Sequence, residues 1–135
     1  MRSIAGGEHA VKFTVRGGGK LIKVMLKGAR YGLPHSNSRF TLAVLDSNRE
    51  LIQIWDLPFL KFEQRGEPLY WVEFDTRGVE VSADFYVVFR FDPTATDGVY
   101  VGYDADSSGH SYDDLSGHRP RAFRDGDLMI RALVE

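Results

Sequence analysis

Apolar and polar residues alternate along most of this chain, and the period is two. From His9 to Arg16, Val11, Phe13 and Val15 alternate with Lys12, Thr14 and Arg16, the pattern of a half-buried strand. Gly17 to Gly19 permit a tight reversal into Leu21 to Gly28, so the two runs predict a hairpin with one apolar face. In its second strand Ile22, Val24 and Leu26 form the inward set and Lys23 and Lys27 point to solvent. Arg39 to Leu45 and Leu51 to Trp55 repeat the pattern around Asp46-Ser47-Asn48, a turn-forming trio that predicts a second hairpin.

Leu69 to Asp75, Val79 to Ser82 and Phe85 to Phe91 are further β-propensity runs, the last placing Phe85, Val87, Phe89 and Phe91 on one face. Gly98 to Tyr103 and Leu128 to Val134 complete the set, with Ile130 inside. Pro58 to Phe62 reads as a short helical turn or a bulged crossover. About eight strands with regular turn signals and no helical stripe predict an all-β, two-sheet antiparallel β-sandwich. Jelly-roll topology is preferred over the immunoglobulin type, because no tryptophan is bracketed by cysteines. Residues 1–7, ending in Gly6-Gly7, read as a lead or linker, and residues 8–135 as a single sandwich domain.

Composition narrows the chemistry. The 135 residues are 43% hydrophobic and 27% charged, enough for one globular core. The absence of cysteine excludes disulfides, thiolate metal sites and cysteine nucleophiles without fixing a compartment. No apolar run reaches the length of a signal peptide core or a membrane span, so the chain is expected to be soluble and not membrane-inserted. A net charge of -2 conceals an asymmetry: residues 1–40 carry eight Lys and Arg against one acid, and residues 41–135 carry nine against eighteen.

Six aspartates, Asp92, Asp97, Asp104, Asp106, Asp113 and Asp114, crowd a stretch without Lys or Arg. Such carboxylates repel one another unless water or a hard cation neutralises them. Asp104, Asp106 and Ser108, followed by Gly109, have the oxygen spacing of a calcium-loop opening. Leu115 occupies the position of the usual bidentate glutamate, so Asp113 or Asp114 would have to supply that ligand. Calcium is therefore the candidate cation, beside the plainer reading of a solvated turn. His110 and His118 lack metal-ligand spacing, and His9 and His35 read as surface residues.

No nucleophile elbow or phosphate loop occurs. Loop carboxylates leave one enzymatic alternative, a hydrolase of small or carbohydrate substrates. The aromatic residues Trp55, Trp71, Tyr100, Tyr103 and Tyr112 are candidate ligand-binding positions, since amphipathic rings suit glycans and protein partners alike. Nucleic acid is disfavoured as a partner, because Phe13 and Phe40 belong to the expected core and leave the basic N-terminal half few rings for stacking.

The run from Phe91 to Val101, Asp104 to Tyr112 and Gly126 to Arg131, with Gly28 to Gly32 and Lys61 to Glu63 upstream, resembles an uncharacterised β-sandwich accessory domain. That domain is found toward the C-terminus of bacterial, planctomycete-type regulatory and envelope-signalling proteins, including sensor metallopeptidases of the β-lactam receptor type. The resemblance implies an add-on module for a ligand or partner and carries no catalytic residues. The expectation is a non-enzymatic module that recognises a protein partner or glycan through its loop end.

Overall fold

The computed structural model describes residues 2–5, 8–31, 39–58, 61–62, 69–91, 98–104, 109–114, 121–122 and 127–135. Eight strands build the frame: β1 (Arg2–Ala5), β2 (Glu8–Thr14), β3 (Gly19–Tyr31), β4 (Arg39–Leu45), β5 (Leu51–Pro58), β6 (Tyr70–Val81), β7 (Asp84–Phe91) and β8 (Gly98–Asp104). Four short strands follow, β9 (Ser111–Asp114), β10 (Arg121–Ala122), β11 (Asp127–Leu128) and β12 (Ile130–Val134). All pairings among them are antiparallel.

Pairing is nested: β1 with β8, β2 with β7, β3 with β6 and β4 with β5. With β3 also paired to β8 and β4 to β7, one sheet runs β1-β8-β3-β6 and the other β2-β7-β4-β5. This is a two-sheet antiparallel sandwich with the jelly-roll topology preferred from the sequence. β9 and β10 extend the second sheet beyond β2, and β11 and β12 join the first.

The core lies between the sheets. Phe85, Val87 and Phe89 of β7 are buried there with Phe40, Leu42 and Val44 of β4 and Leu21, Val24 and Leu26 of β3. Their opposite-face neighbours on β7 and β4, Tyr86, Val88, Ala43 and Leu45, are buried in a second cluster with Ala10. Both faces of β7 are thus covered, which explains why its sequence is nearly continuous in apolar residues.

Several expectations change. β2 and β3 are not a hairpin, because β2 pairs with β7 and β3 with β6 in different sheets. Gly17, Gly18 and Gly19, at φ of 79°, 67° and 155°, carry the chain across the sandwich instead. The crossing is pinned to the β6–β7 turn by the Val15 amide, which donates to the Ala83 carbonyl at 2.7 Å. The runs Leu69–Asp75 and Val79–Ser82 are one strand, β6, interrupted by a bulge between Asp75 and Val79 where β3 contributes only Ile22. Arg77 and Gly78 have positive φ there, and the Thr76 hydroxyl donates to the Leu21 carbonyl at 2.5 Å. The bulge turns Leu21 inward with Val24 and Leu26 and leaves Ile22 half-buried.

The expected lead contains β1, whose residues Arg2 to Ala5 pair with Tyr103 to Tyr100; four residues are too short to declare a period. The expected terminal strand Leu128–Val134 is two strands, broken at Met129. The Met129 amide donates to the Gly102 carbonyl at 2.8 Å, and its own carbonyl accepts from the Lys27 amide at 3.0 Å. Met129 therefore sits where β8 and β3 part. β11 lies along β8 and β12 along β3, filling the fork between them. His9, expected at the surface, is 2% exposed. It shares the inward face with Val11 and Phe13, and its ring lies 5.8 Å from that of Phe91.

Candidate functional site

The two sheets end on the same side in edge strands, β5 and β6, each bonded to a single neighbour among the described residues. A cleft of about 690 Å³ opens between them, lined by Gln53, Trp55 and Leu57 of β5 and by Asp75 to Val79 of β6. Gln53, Trp55 and Leu57 stand opposite Val44, Leu42 and Phe40, so this face of β5 turns toward the other sheet. Trp55 packs against the core and is half-buried where it lines the cleft. Gln53, Asp75 and Arg77 are exposed around it.

The β6 bulge shapes the far wall. The Asp75 carboxylate accepts from the Arg77 amide at 2.8 Å, holding Arg77 at φ 57°. Thr76 is buried beneath them, anchored on the Leu21 carbonyl. The wall is therefore a stiff loop presenting an amide side, a carboxylate and a guanidinium, rather than an ordinary strand edge. Among the described residues, Asp75 is the carboxylate that lines this cleft.

A second hollow, of about 550 Å³, is lined by Lys61 and by Tyr70, Trp71, Val72 and Glu73 of β6. Four consecutive residues of one strand touch it, so it lies along the strand edge and not over one face. Tyr70 is 54% exposed there, and Glu73 is engaged by Lys23 at 3.1 Å. Lys61 lies 5.9 Å from the Phe74 ring centre. At this end of the sandwich the Phe62 ring packs into the core, and its carbonyl accepts from Arg30 Nε at 3.0 Å.

The sequence-derived aromatic candidates are distributed over the molecule. Trp55 lies in the edge cleft and Trp71 in the adjoining hollow. The face of the Trp71 ring is approached by the cations of Arg131, at 4.5 Å, and Lys27, at 5.8 Å. Tyr100 is half-buried on β8, opposite Ala29. Tyr103 points the other way, packs on the core and stands opposite Leu128. Tyr112 packs edge-on against Tyr86, 5.8 Å away, on the outside of the second sheet. No single loop end gathers these five rings.

Of the calcium candidates, Asp104 is exposed at the end of β8, and Asp113 and Asp114 end β9. Asp106 and Ser108 lie outside the described residues, as do His35 and His118. Among the described residues no three His, Asp or Glu side chains converge as metal ligands would. None of their helices is long and apolar enough to cross a membrane.

No family model, curated protein or solved structure matches the chain. The edge cleft must therefore be read from its own chemistry. Gln53, Asp75 and Arg77 were not among the sequence candidates. Gln53 lies on β5 and Asp75 and Arg77 on β6, consecutive strands that belong to different sheets, and the crossing between the sheets brings them together around Trp55.

Proposed function

We propose that this domain is a non-enzymatic binding module that holds a glycan in the cleft between β5 and β6. One observation carries this reading: a half-buried tryptophan lines an open cleft together with exposed Gln53, Asp75 and Arg77. Sugar rings present an apolar C–H face and a rim of hydroxyls, so a fixed indole with planar amide, carboxylate and guanidinium neighbours matches both parts. Placing the site on the strand edges replaces the loop-end location expected from the sequence.

The hydrolytic alternative requires two carboxylates converging across the cleft. The pairing of Asp75 with the Arg77 amide supports a structural and hydrogen-bonding role for that carboxylate instead. The resemblance to an accessory domain supports a recognition role as well.

A glycan microarray, followed by titration calorimetry on the hits, tests the proposal. Binding that Gln53→Ala and Arg77→Ala each weaken, with unchanged urea midpoints, supports it. No signal on any polysaccharide sinks it.

A protein partner is the second reading, favoured by a different surface. Leu51 and Ile54, 58% and 43% exposed, stand opposite Leu45 and Ala43 on the outer side of β5. Exposed apolar residues on an open edge strand suit protein contact. The double substitution Leu51→Ser with Ile54→Ser separates the readings, because it removes such a contact and leaves glycan affinity unchanged.

A further inference from the structure

We infer that the edge cleft and the hollow beside Tyr70 are successive subsites of one track, which binds an internal stretch of an extended glycan chain. This inference rests on the glycan reading of the cleft and adds the length and form of the ligand.

The same strand lines both depressions. β6 contributes Tyr70 to Glu73 to one and Asp75 to Val79 to the other, so only Phe74, which is buried in the core, separates the two sets. Both lie at the edge of the sandwich. From Tyr70 to Arg77 the strand advances about 20 Å at its usual rise. A disaccharide is too short for that span, whereas an extended chain of roughly four rings covers it.

Each subsite offers the same pair of elements. The first has Tyr70, an exposed residue, and Lys61. The second has Trp55 and Arg77. An aromatic side chain supplies a face for a sugar ring, and the long cation reaches hydroxyl or carboxylate oxygens beside it. The acids in both subsites are already engaged, Glu73 by Lys23 and Asp75 by the Arg77 amide. Trp71 is held by Arg131 and Lys27 on the outer face, which leaves Tyr70 as the stacking ring of the first subsite.

Two subsites on one rigid strand predict a length-dependent affinity, since the second contact is made within an already bound chain. The probes are cello-, xylo- and manno-oligosaccharides of two to eight units, together with oligomers of any further array hit, measured by calorimetry. The expected result is an affinity that rises by about tenfold or more between the disaccharide and the tetra- to hexasaccharide and then levels off. Tyr70→Ala should abolish this gain while leaving disaccharide binding intact. Gln53→Ala should weaken ligands of every length. Equal affinity for two and six units, or a Tyr70→Ala variant with the full gain, overturns the two-subsite track and leaves the single cleft standing. Failure of every oligosaccharide and every array glycan instead overturns the underlying glycan reading. Both substitutions are at exposed positions, and a urea midpoint for each confirms that the variant is folded.

Discussion

The Arg131 guanidinium lies 4.5 Å from the centre of the Trp71 ring, reaching from β12 across β3 to β6. Three strands are tied by one contact on the outer face of a sheet. Lys27 adds a second cation 5.8 Å from the same ring. Arg131→Ala should destabilise the domain by about 0.5–1 kcal/mol, as expected for an exposed cation–π contact. Urea denaturation followed by indole fluorescence reads both the midpoint and the altered environment of Trp71. Arg131→Lys should recover only part of the loss, since it loses planar stacking.

A second test concerns the link between sheets. The Ser111 hydroxyl of β9 is buried and accepts a hydrogen bond from the Leu128 amide of β11 at 3.0 Å. Ser111→Ala deprives a buried amide of its partner and should cost about 1–3 kcal/mol. Hydrogen exchange at Leu128 should accelerate more than exchange at Val87 in the opposite sheet. Equal acceleration at both amides would show that the substitution acts globally rather than at this bond.

The aromatic centre of the core should be the most sensitive position. Phe40 lies 5.3 Å from Phe62, 5.8 Å from Phe74, 6.3 Å from Phe89 and 5.3 Å from Phe91, ring centre to ring centre. Phe40→Ala removes a ring common to both sheets and should cost about 3–5 kcal/mol. Phe40→Leu should recover more than half of that stability in the same denaturation assay.

Glycine substitutions separate steric from conformational cost. A Cβ on Gly28 would sit 2.6 Å from the Tyr100 carbonyl and 3.4 Å from the Phe62 ring. The carbonyl belongs to the sheet backbone and cannot swing away, so Gly28→Ala should lose about 1–3 kcal/mol. Gly17, at φ 79°, has open space around the same atom. Gly17→Ala should therefore lose only the backbone term, about 1 kcal/mol. Thermal melts of the two variants give the comparison.

Faces were readable from the sequence where pairings were not. Phe85, Val87, Phe89 and Phe91 all lie in the core because alternation is a property of a strand by itself. A short glycine-rich connection looks the same whether it closes a hairpin or crosses a sandwich, and Gly17 to Gly19 do the latter. Thr76-Arg77-Gly78 breaks the alternation, so a bulged strand read as two. His9 reads as a surface residue in the sequence, yet its register with Val11 and Phe13 places it inside. Of the candidate cleft, only Trp55 was identifiable by residue type. Its polar neighbours depend on strands that approach one another after the chain has wound across the sandwich.

The nesting of strands has a consequence for how the protein is made. Arg2 pairs with Tyr103, and the lower half of β3 gains its β12 neighbour only when Ile130 to Val134 arrive. At ordinary ribosomal speed, β1 waits on the order of ten seconds between its own synthesis and that of β8. During that interval the local β4–β5 hairpin can form first, then β3 can pair with β6 and β2 with β7 as those strands are made, while β1 still lacks its neighbour. Completion of the sandwich is thus a late event, and a ribosome stalled before residue 130 would hold a chain in which the Leu21 to Leu26 part of β3 still lacks its second neighbour.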